Sequence, residues 1–399
     1  MGDVLFLAHR VPYPPDRGDK IRSFHMLRYL AAHRRVHLAA FADDPRDIDR
    51  PELAALTASR AIVRRAKPQV VAAVQALVSG RPLSLTAFDD KRMRRAVQDV
   101  LTRENIGTVF VFSGQMAQYL PARAGPRLIM DFVDMDSAKF AAYADAATGP
   151  MRWVYGREAR LLGAFEQAIA ARADASLFVS EAEAALFRAS TGAEGVQPIE
   201  NGIDTALFDP AATFAPVDEG EALIVFTGQM DYRPNVEAVT WFVEAILPRI
   251  RTSRPEARLA IVGRQPTDAV RRLAAHQGVI VTGEVADVRG WLAAAAVVVA
   301  PLKLARGVQN KVLEAMAMAR PVVASAAAAE GIDHDGTVMI GATAAELTEA
   351  VTHLLSDRSE AEALGCAARA RVIARYGWAA RLAPLDPLIG LSARLGEAA

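Results

Sequence analysis

Ten short runs of β-branched and aromatic residues, each followed by a stretch with helical spacing, restrict what this 399-residue chain can fold into. Five lie in the first half: Val4–Leu7, Val36–Phe41, Thr108–Phe112, Leu128–Asp131 and Ser176–Val179. Five lie in the second: Leu223–Thr227, Leu259–Val262, Val279–Thr282, Val297–Ala300 and Val322–Ala324. The runs are continuously apolar rather than alternating, which suits strands buried on both faces. Buried strands separated by helices build parallel βαβ units. The expected class is α/β, with two doubly wound, Rossmann-like domains facing a cleft.

The length fits two domains of about 200 residues each. The stretch Asn201-Gly202-Ile203-Asp204 and the Pro/Asp/Gly-rich segment 209–220 carry turn residues and little periodicity, so the boundary is expected between Asn201 and Ala222. The expected division is 1–205, 206–380 and a tail, 381–399, packing back on the first domain.

Several classes are set aside by composition. Lys+Arg and Asp+Glu both number 46, so a dedicated nucleic-acid binder is not expected. Cys366 is the single cysteine, which excludes an internal disulfide and suits a reducing, cytoplasmic setting. The opening Met1-Gly2-Asp3-Val4-Leu5-Phe6 lacks the basic and apolar regions of a signal peptide, and Phe6 stands where myristoylation needs Ser or Thr. The longest apolar run, Trp291 to Leu302, falls short of the roughly 20 residues of a membrane span. Residues 1–200 hold 27 Lys+Arg against 23 Asp+Glu, and residues 201–399 hold 19 against 23. The excess clusters at Arg60, Arg64, Arg65 and Lys67 and at Lys91, Arg92, Arg94 and Arg95. These are either solvated helix faces or a patch that rests on the anionic inner face of a membrane.

Candidate site residues follow the strands. After Val4–Leu7 comes a Pro-stiffened loop, Ala8 to Asp19, in which Gly18 can adopt unusual backbone angles and Asp19 can cap the next helix. That helix places Ile21, Phe24, Leu27, Leu30 and Ala31 on one face. After Leu128–Asp131 come Asp134, Asp136 and Ser137. Three carboxylates so close are usually turns and caps, with no metal implied. Asp136 or Ser137 would cap a helix, or Asp134 or Asp136 would orient an acceptor hydroxyl. After Leu223–Thr227, Gly228 permits close backbone approach and Arg233 stands where a diphosphate could be clamped. After Val297–Ala300, a loop through Arg306, Gly307 and Asn310 opens a helix carrying Lys311 and Glu314. Free N–H groups and the positive end of the helix dipole suit phosphate oxygens there. Glu314 could accept two hydrogen bonds from a ribose diol.

These residues carry a resemblance. Asn201-Gly202-Ile203-Asp204 with Phe208-Asp209-Pro210, and Asn310-Lys311-Val312-Leu313-Glu314-Ala315-Met316-Ala317 with Arg320-Pro321-Val322-Val323, resemble retaining glycosyltransferases of family 4, of GT-B fold. The opening Pro12–Arg22 segment and Phe226–Asn235 are similar to the branch of sugar transferases associated with PEP-CTERM/exosortase exopolysaccharide systems. The resemblance implies a nucleotide-sugar donor as substrate, no cofactor or essential metal, retention at the anomeric carbon, and a glycan or lipid-linked acceptor. It maps the family's second signature glutamate onto Glu314, as ribose ligand. The first falls at Arg306, which either pairs with the donor diphosphate or meets an anionic group on the sugar. The family's His after the middle strand is replaced by the Asp131–Asp136 loop. Lys311, Arg233 and backbone N–H groups would stabilise the departing diphosphate. Two alternatives stand beside this reading: a sugar-nucleotide epimerase of similar fold, and an inactive nucleotide-binding scaffold.

Overall fold

The computed structural model describes residues 2–121, 125–305 and 308–391. They fall into two compact units. One comprises the residues up to Asn201 together with those from Leu382 onward, the other Gly202–Arg381.

The first unit is built on β1 (Asp3–Ala8), β2 (Val36–Ala42), β3 (Ser59–Arg64), β4 (Ile106–Phe112), β5 (Arg127–Val133), β6 (Ala175–Phe178) and β7 (Val196–Pro198). They form one parallel sheet in the order β3-β2-β1-β4-β5-β6-β7. Leu5 of β1 lies between His37 of β2 and Val109 of β4. The chain therefore reverses its direction of travel across the sheet between β1 and β4, where strand ends diverge and leave room for a ligand.

The second unit contains β8 (Leu223–Thr227), β9 (Arg258–Val262), β10 (Val279–Gly283), β11 (Val297–Ala300), β12 (Val322–Ala324) and β13 (Met339–Ile340). Its parallel order is β10-β9-β8-β11-β12-β13. Here the reversal lies between β8 and β11. Both strands are buried at every position, as their apolar runs require.

Strands β3, β7 and β13 lie at sheet edges and are missing from the expected set. An edge strand needs no continuous apolar run. In β3 only Val63 is fully buried, while Arg60 and Arg64 are exposed. Arg60 and Arg64 thus belong to an edge strand rather than to a helix face. Helix Gly18–His33 buries Leu27 and Leu30 as expected, but Ile21 is exposed and the buried face includes Arg22.

Arg22 explains that face. Its guanidinium donates to both oxygens of fully buried Asp131 in β5, at 2.9 and 3.2 Å. It also donates to the Ile199 carbonyl at 2.7 Å and to Asn201 Oδ1 at 3.0 Å. One side chain thereby ties the first helix to the middle strand and to the last residues before the second unit. Residues beyond Leu382 join the first unit by Tyr29 Oη donating to Asp386 (2.6 Å) and Arg127 donating to the Leu388 carbonyl (2.8 Å). Among the described residues, no helix is long and apolar enough to cross a membrane.

Candidate active site

The second unit has a cavity of about 460 Å³ at the carboxyl ends of β8, β9 and β10, closed on one side by helix Asn310–Ala317. Backbone geometry makes the space. Gly228 N donates to the Val262 carbonyl (3.0 Å) and Gly263 N to the Gly283 carbonyl (3.2 Å), drawing three strand ends together. A Cβ on Gly263 would lie 1.7 Å from the Gly228 oxygen, and one on Gly228 would lie 2.7 Å from Asn235 Nδ2 and 3.1 Å from Lys311 Nζ. Only hydrogen fits at these positions.

Lys311 is the central cation. Its ammonium donates to Asn235 Oδ1 at 2.5 Å and sits 4.2 Å from the centre of the Phe226 ring. Asn235, itself buried, donates through Nδ2 to the Gln229 carbonyl at 2.9 Å and so holds the Gly228–Gln229 turn against Lys311. Burial lowers the Lys311 pKa to about 8, a shift that Glu314 opposes. Burial likewise pushes the Glu314 carboxyl up to about 7, with Lys311 opposing. Glu314 lies one turn along the same helix, and its carboxylate accepts no hydrogen bond from another described residue. The Gln309 side chain does not cap the helix, and the Val312 N–H donates to the Gln309 carbonyl at 3.0 Å.

The structure thus brings Gly228, Asn310, Lys311 and Glu314 together. Arg306 and Gly307 lie outside the described residues. Arg233 is not among the residues lining the cavity; it opens helix Arg233–Trp241, is largely exposed and pairs with Glu237 at 2.7 Å. Among the described residues, Arg264 is a further cation at the cavity and donates to Gln229 Oε1 at 3.1 Å. Arg264 and Asn235 are absent from the sequence-based set. The signal for Arg264 is the repeat of strand, glycine and polar residue at Gly228-Gln229 and Gly263-Arg264.

In the first unit, Gly18 is the first residue of a regular helix, has no positive φ and would meet nothing with a Cβ, so no conformational freedom is required of it. The cap position is Arg17 rather than Asp19. Asp19 instead takes Arg10 at 2.6 Å and His9 Nε2 at 3.2 Å. Burial would raise the Asp19 pKa, but those two partners hold it well below the usual carboxylate range. His9 stacks on Phe112, and its Nδ1 is buried without a partner.

The acidic loop separates by role. Asp131 is the Arg22 partner. A register shift then follows in β5, and Val133 has a φ of 71°. Ser113, just beyond β4, has a φ of 77° and donates its N–H to the Asp131 carbonyl. A β-branched residue in the left-handed region is strained, and such strain gathers where side chains must be aimed. Beyond it Asp136 begins a helix whose cap position is Met135; Ser137 is held by buried Glu166 rather than capping. Asp136 accepts from Gln115 (3.4 Å) and pairs with Lys139 (3.5 Å); burial raises its pKa, and His9 and Lys139 oppose the shift. Among the described residues the one group with metal-ligand spacing is Asp3, His37 and Glu104, at the opposite, amino ends of the strands.

Two parallel doubly wound units, each with its residues of interest at the carboxyl strand ends, define the GT-B glycosyltransferase fold. Residues 221–357, which contain the cavity, match the family described as Glycosyl transferases group 1. Solved structures align over nearly the whole chain. HepE (Alr3699) of Anabaena in complex with UDP has 15% identity and a TM-score of 0.60, covering 97% of this chain and 99% of that one. Sucrose-phosphate synthase of Thermosynechococcus elongatus has 19% identity and a TM-score of 0.57, covering 97% and 98%. WaaG, a glycosyltransferase of lipopolysaccharide biosynthesis, has 17% identity and a TM-score of 0.55, covering 97% and 100%. Among curated proteins none is similar enough to count as a match.

Proposed function

We propose that the chain is a retaining, metal-independent glycosyltransferase that moves a hexose from a uridine-diphosphate sugar to a glycan or lipid-linked acceptor in exopolysaccharide synthesis. The observation that carries the donor reading is Lys311 beside Glu314, whose carboxylate has no hydrogen bond to another described residue, at a glycine-made cavity. The diphosphate would lie against Lys311, Arg264 and the first turn of helix Asn310–Ala317, and the ribose diol against Glu314. Uridine is suggested by HepE, which has been solved with UDP and with UDP-glucose. Charge building on the departing diphosphate would meet fixed donors that need no rearrangement, the condition under which electrostatic stabilisation is largest. On the acceptor side, Asp134 or Asp136 would orient the hydroxyl, with His9 beside them. The acceptor would be reached at the anionic inner face of the membrane, which the protein would touch peripherally through the Arg60–Lys67 and Lys91–Arg95 clusters.

The test is Glu314→Ala. Lost charge-assisted hydrogen bonds are worth about 1.5–3 kcal/mol, or roughly 10–100-fold in donor affinity. Calorimetry with UDP-sugars should show that loss with an unchanged fold; equal affinity in the variant rejects the ribose role.

The same pair sets a pH profile. A donor diester diphosphate does not titrate near neutrality, so the protein's groups should govern affinity. Below about pH 7 Glu314 gains a proton and loses an acceptor; above about pH 8 Lys311 loses its charge. Donor affinity should peak between those values. Glu314→Gln should flatten the acid limb and move the alkaline limb to lower pH, since Glu314 no longer supports the Lys311 charge. A profile that is flat in the unmodified protein would remove both groups from the donor site.

A further inference from the structure

Helix Gln69–Ser79, of sequence QVVAAVQALVS, carries no charge and turns most of its apolar side chains outward. Val70, Val71, Val74, Leu77 and Val78 are 74, 52, 57, 60 and 85% exposed, while only Ala72 and Ala76 are buried. A contiguous apolar face of this kind on a water-facing helix marks a surface that is covered in use. At 11 residues it is about 16 Å long, so it can lie along an interface but cannot span one.

Cationic side chains flank it, with Asp89 among them as acceptor of Gln75 at 3.4 Å. Arg157 of helix Gly149–Ala170 donates to the Ala76 carbonyl at 2.8 Å and fixes that helix beside the apolar one. One turn away, Trp153 is 61% exposed and Met151 47%. Gly149, Arg152, Trp153, Gly156, Arg157 and Arg160 line a recess of about 490 Å³ that contains three arginines and no carboxylate. On the other flank, Lys67 donates to Gln75 of the apolar helix at 3.0 Å, and exposed Arg64 accepts from Arg92 through its carbonyl at 3.0 Å. Arg64, Arg152 and Arg160 form no ion pair with another described residue.

We infer that this face docks the protein on an anionic phospholipid bilayer, with the helix Gln69–Ser79 valines at the acyl boundary and the Arg152–Arg157–Arg160 recess taking headgroup phosphates. A neutral apolar helix between two cationic rims, with a tryptophan at its margin, matches the chemistry of an anionic membrane interface: apolar below, aromatic at the headgroup level, negative above. The inference rests on the peripheral contact proposed above and relocates its apolar part to a defined element.

The test is sedimentation of the full chain with vesicles of phosphatidylglycerol and phosphatidylcholine, and with phosphatidylcholine alone. The unmodified protein should bind the anionic vesicles, less so as salt rises. Val70→Gln/Val74→Gln/Val78→Gln should bind them at least about tenfold more weakly at low salt, with unchanged circular dichroism. Arg152→Glu/Arg160→Glu should lose the preference for the anionic lipid. If the valine variant binds like the unmodified protein while charge reversal at Arg64 and Lys91 abolishes binding, the membrane contact stands and this face is rejected. If the unmodified protein binds no vesicle at low salt, both are rejected. If it forms a dimer that the valine variant abolishes, and no vesicle complex, the face is an interface between copies and the inference fails. Transfer to a water-soluble acceptor should be equal in all variants, which separates this result from the donor-site reading.

Discussion

Lys311→Ala should lower kcat by about 10²–10³, the usual cost of losing one fixed donor to a developing anion. The ammonium is held in place before any donor arrives, by Asn235 Oδ1 and the Phe226 ring. Its burial, which pulls the pKa down to about 8, means that the free protein holds this charge at a cost that an arriving diphosphate would relieve. Removing the side chain should therefore leave the melting temperature unchanged or slightly raised while turnover collapses. Lys311→Arg should not restore the rate, because a planar guanidinium cannot occupy the compact place between Phe226, Asn235 and Gly228. A loss of less than about fivefold in single-turnover rate would show that Arg264 and the helix N–H groups suffice without it.

Arg22→Ala should be the most damaging single change in the first unit. It would strand Asp131, fully buried in β5, without its two guanidinium hydrogen bonds. Breaking a buried pair from one side costs about 3–5 kcal/mol. For a unit of this size that corresponds to a fall of roughly 6–20 °C in melting temperature. Calorimetry should show the shift in one transition only. The other should be identifiable because a UDP-sugar raises it. Arg22→Met with Asp131→Leu should recover much of the loss, since an apolar pair of similar volume leaves no uncompensated charge. A single variant that melts within about 2 °C of the unmodified protein would mean that water reaches Asp131.

The legibility of the sequence followed burial. Central strands such as β8, β11 and β12 coincide with their apolar runs because every side chain along them is covered. Edge strands leave a weaker mark in the sequence, since β3 mixes Arg60 and Arg64 with half-buried residues. In the cavity of the second unit, Gly228, Lys311 and Glu314 stand at strand ends and a helix start, where local pattern is informative. Arg264 carries only the weak mark of the repeated strand-glycine-polar pattern at Gly228-Gln229 and Gly263-Arg264, and that pattern gains meaning from the pairing of β9 with β8. Arg233 shows the reverse: its position just after a strand was right for a clamp, but the helix it opens turns it toward Glu237. The split of Asp131 from Asp136 was hidden for the same reason. Asp131 answers to Arg22, 109 positions away, and no local spacing reports that.

The first unit is discontinuous, and this bears on how the protein is made. Its closing contacts, Tyr29 with Asp386 and Arg127 with the Leu388 carbonyl, join positions separated by 357 and 261 residues. A ribosome delivers chain from the amino end at about 5–20 residues per second. All of Gly202–Arg381 is therefore synthesised before residue 386 exists. All seven strands of the first unit are thus made before the segment that supplies those two contacts, and the whole second unit is made in between. The unit that is begun first therefore cannot be completed until the other has been synthesised.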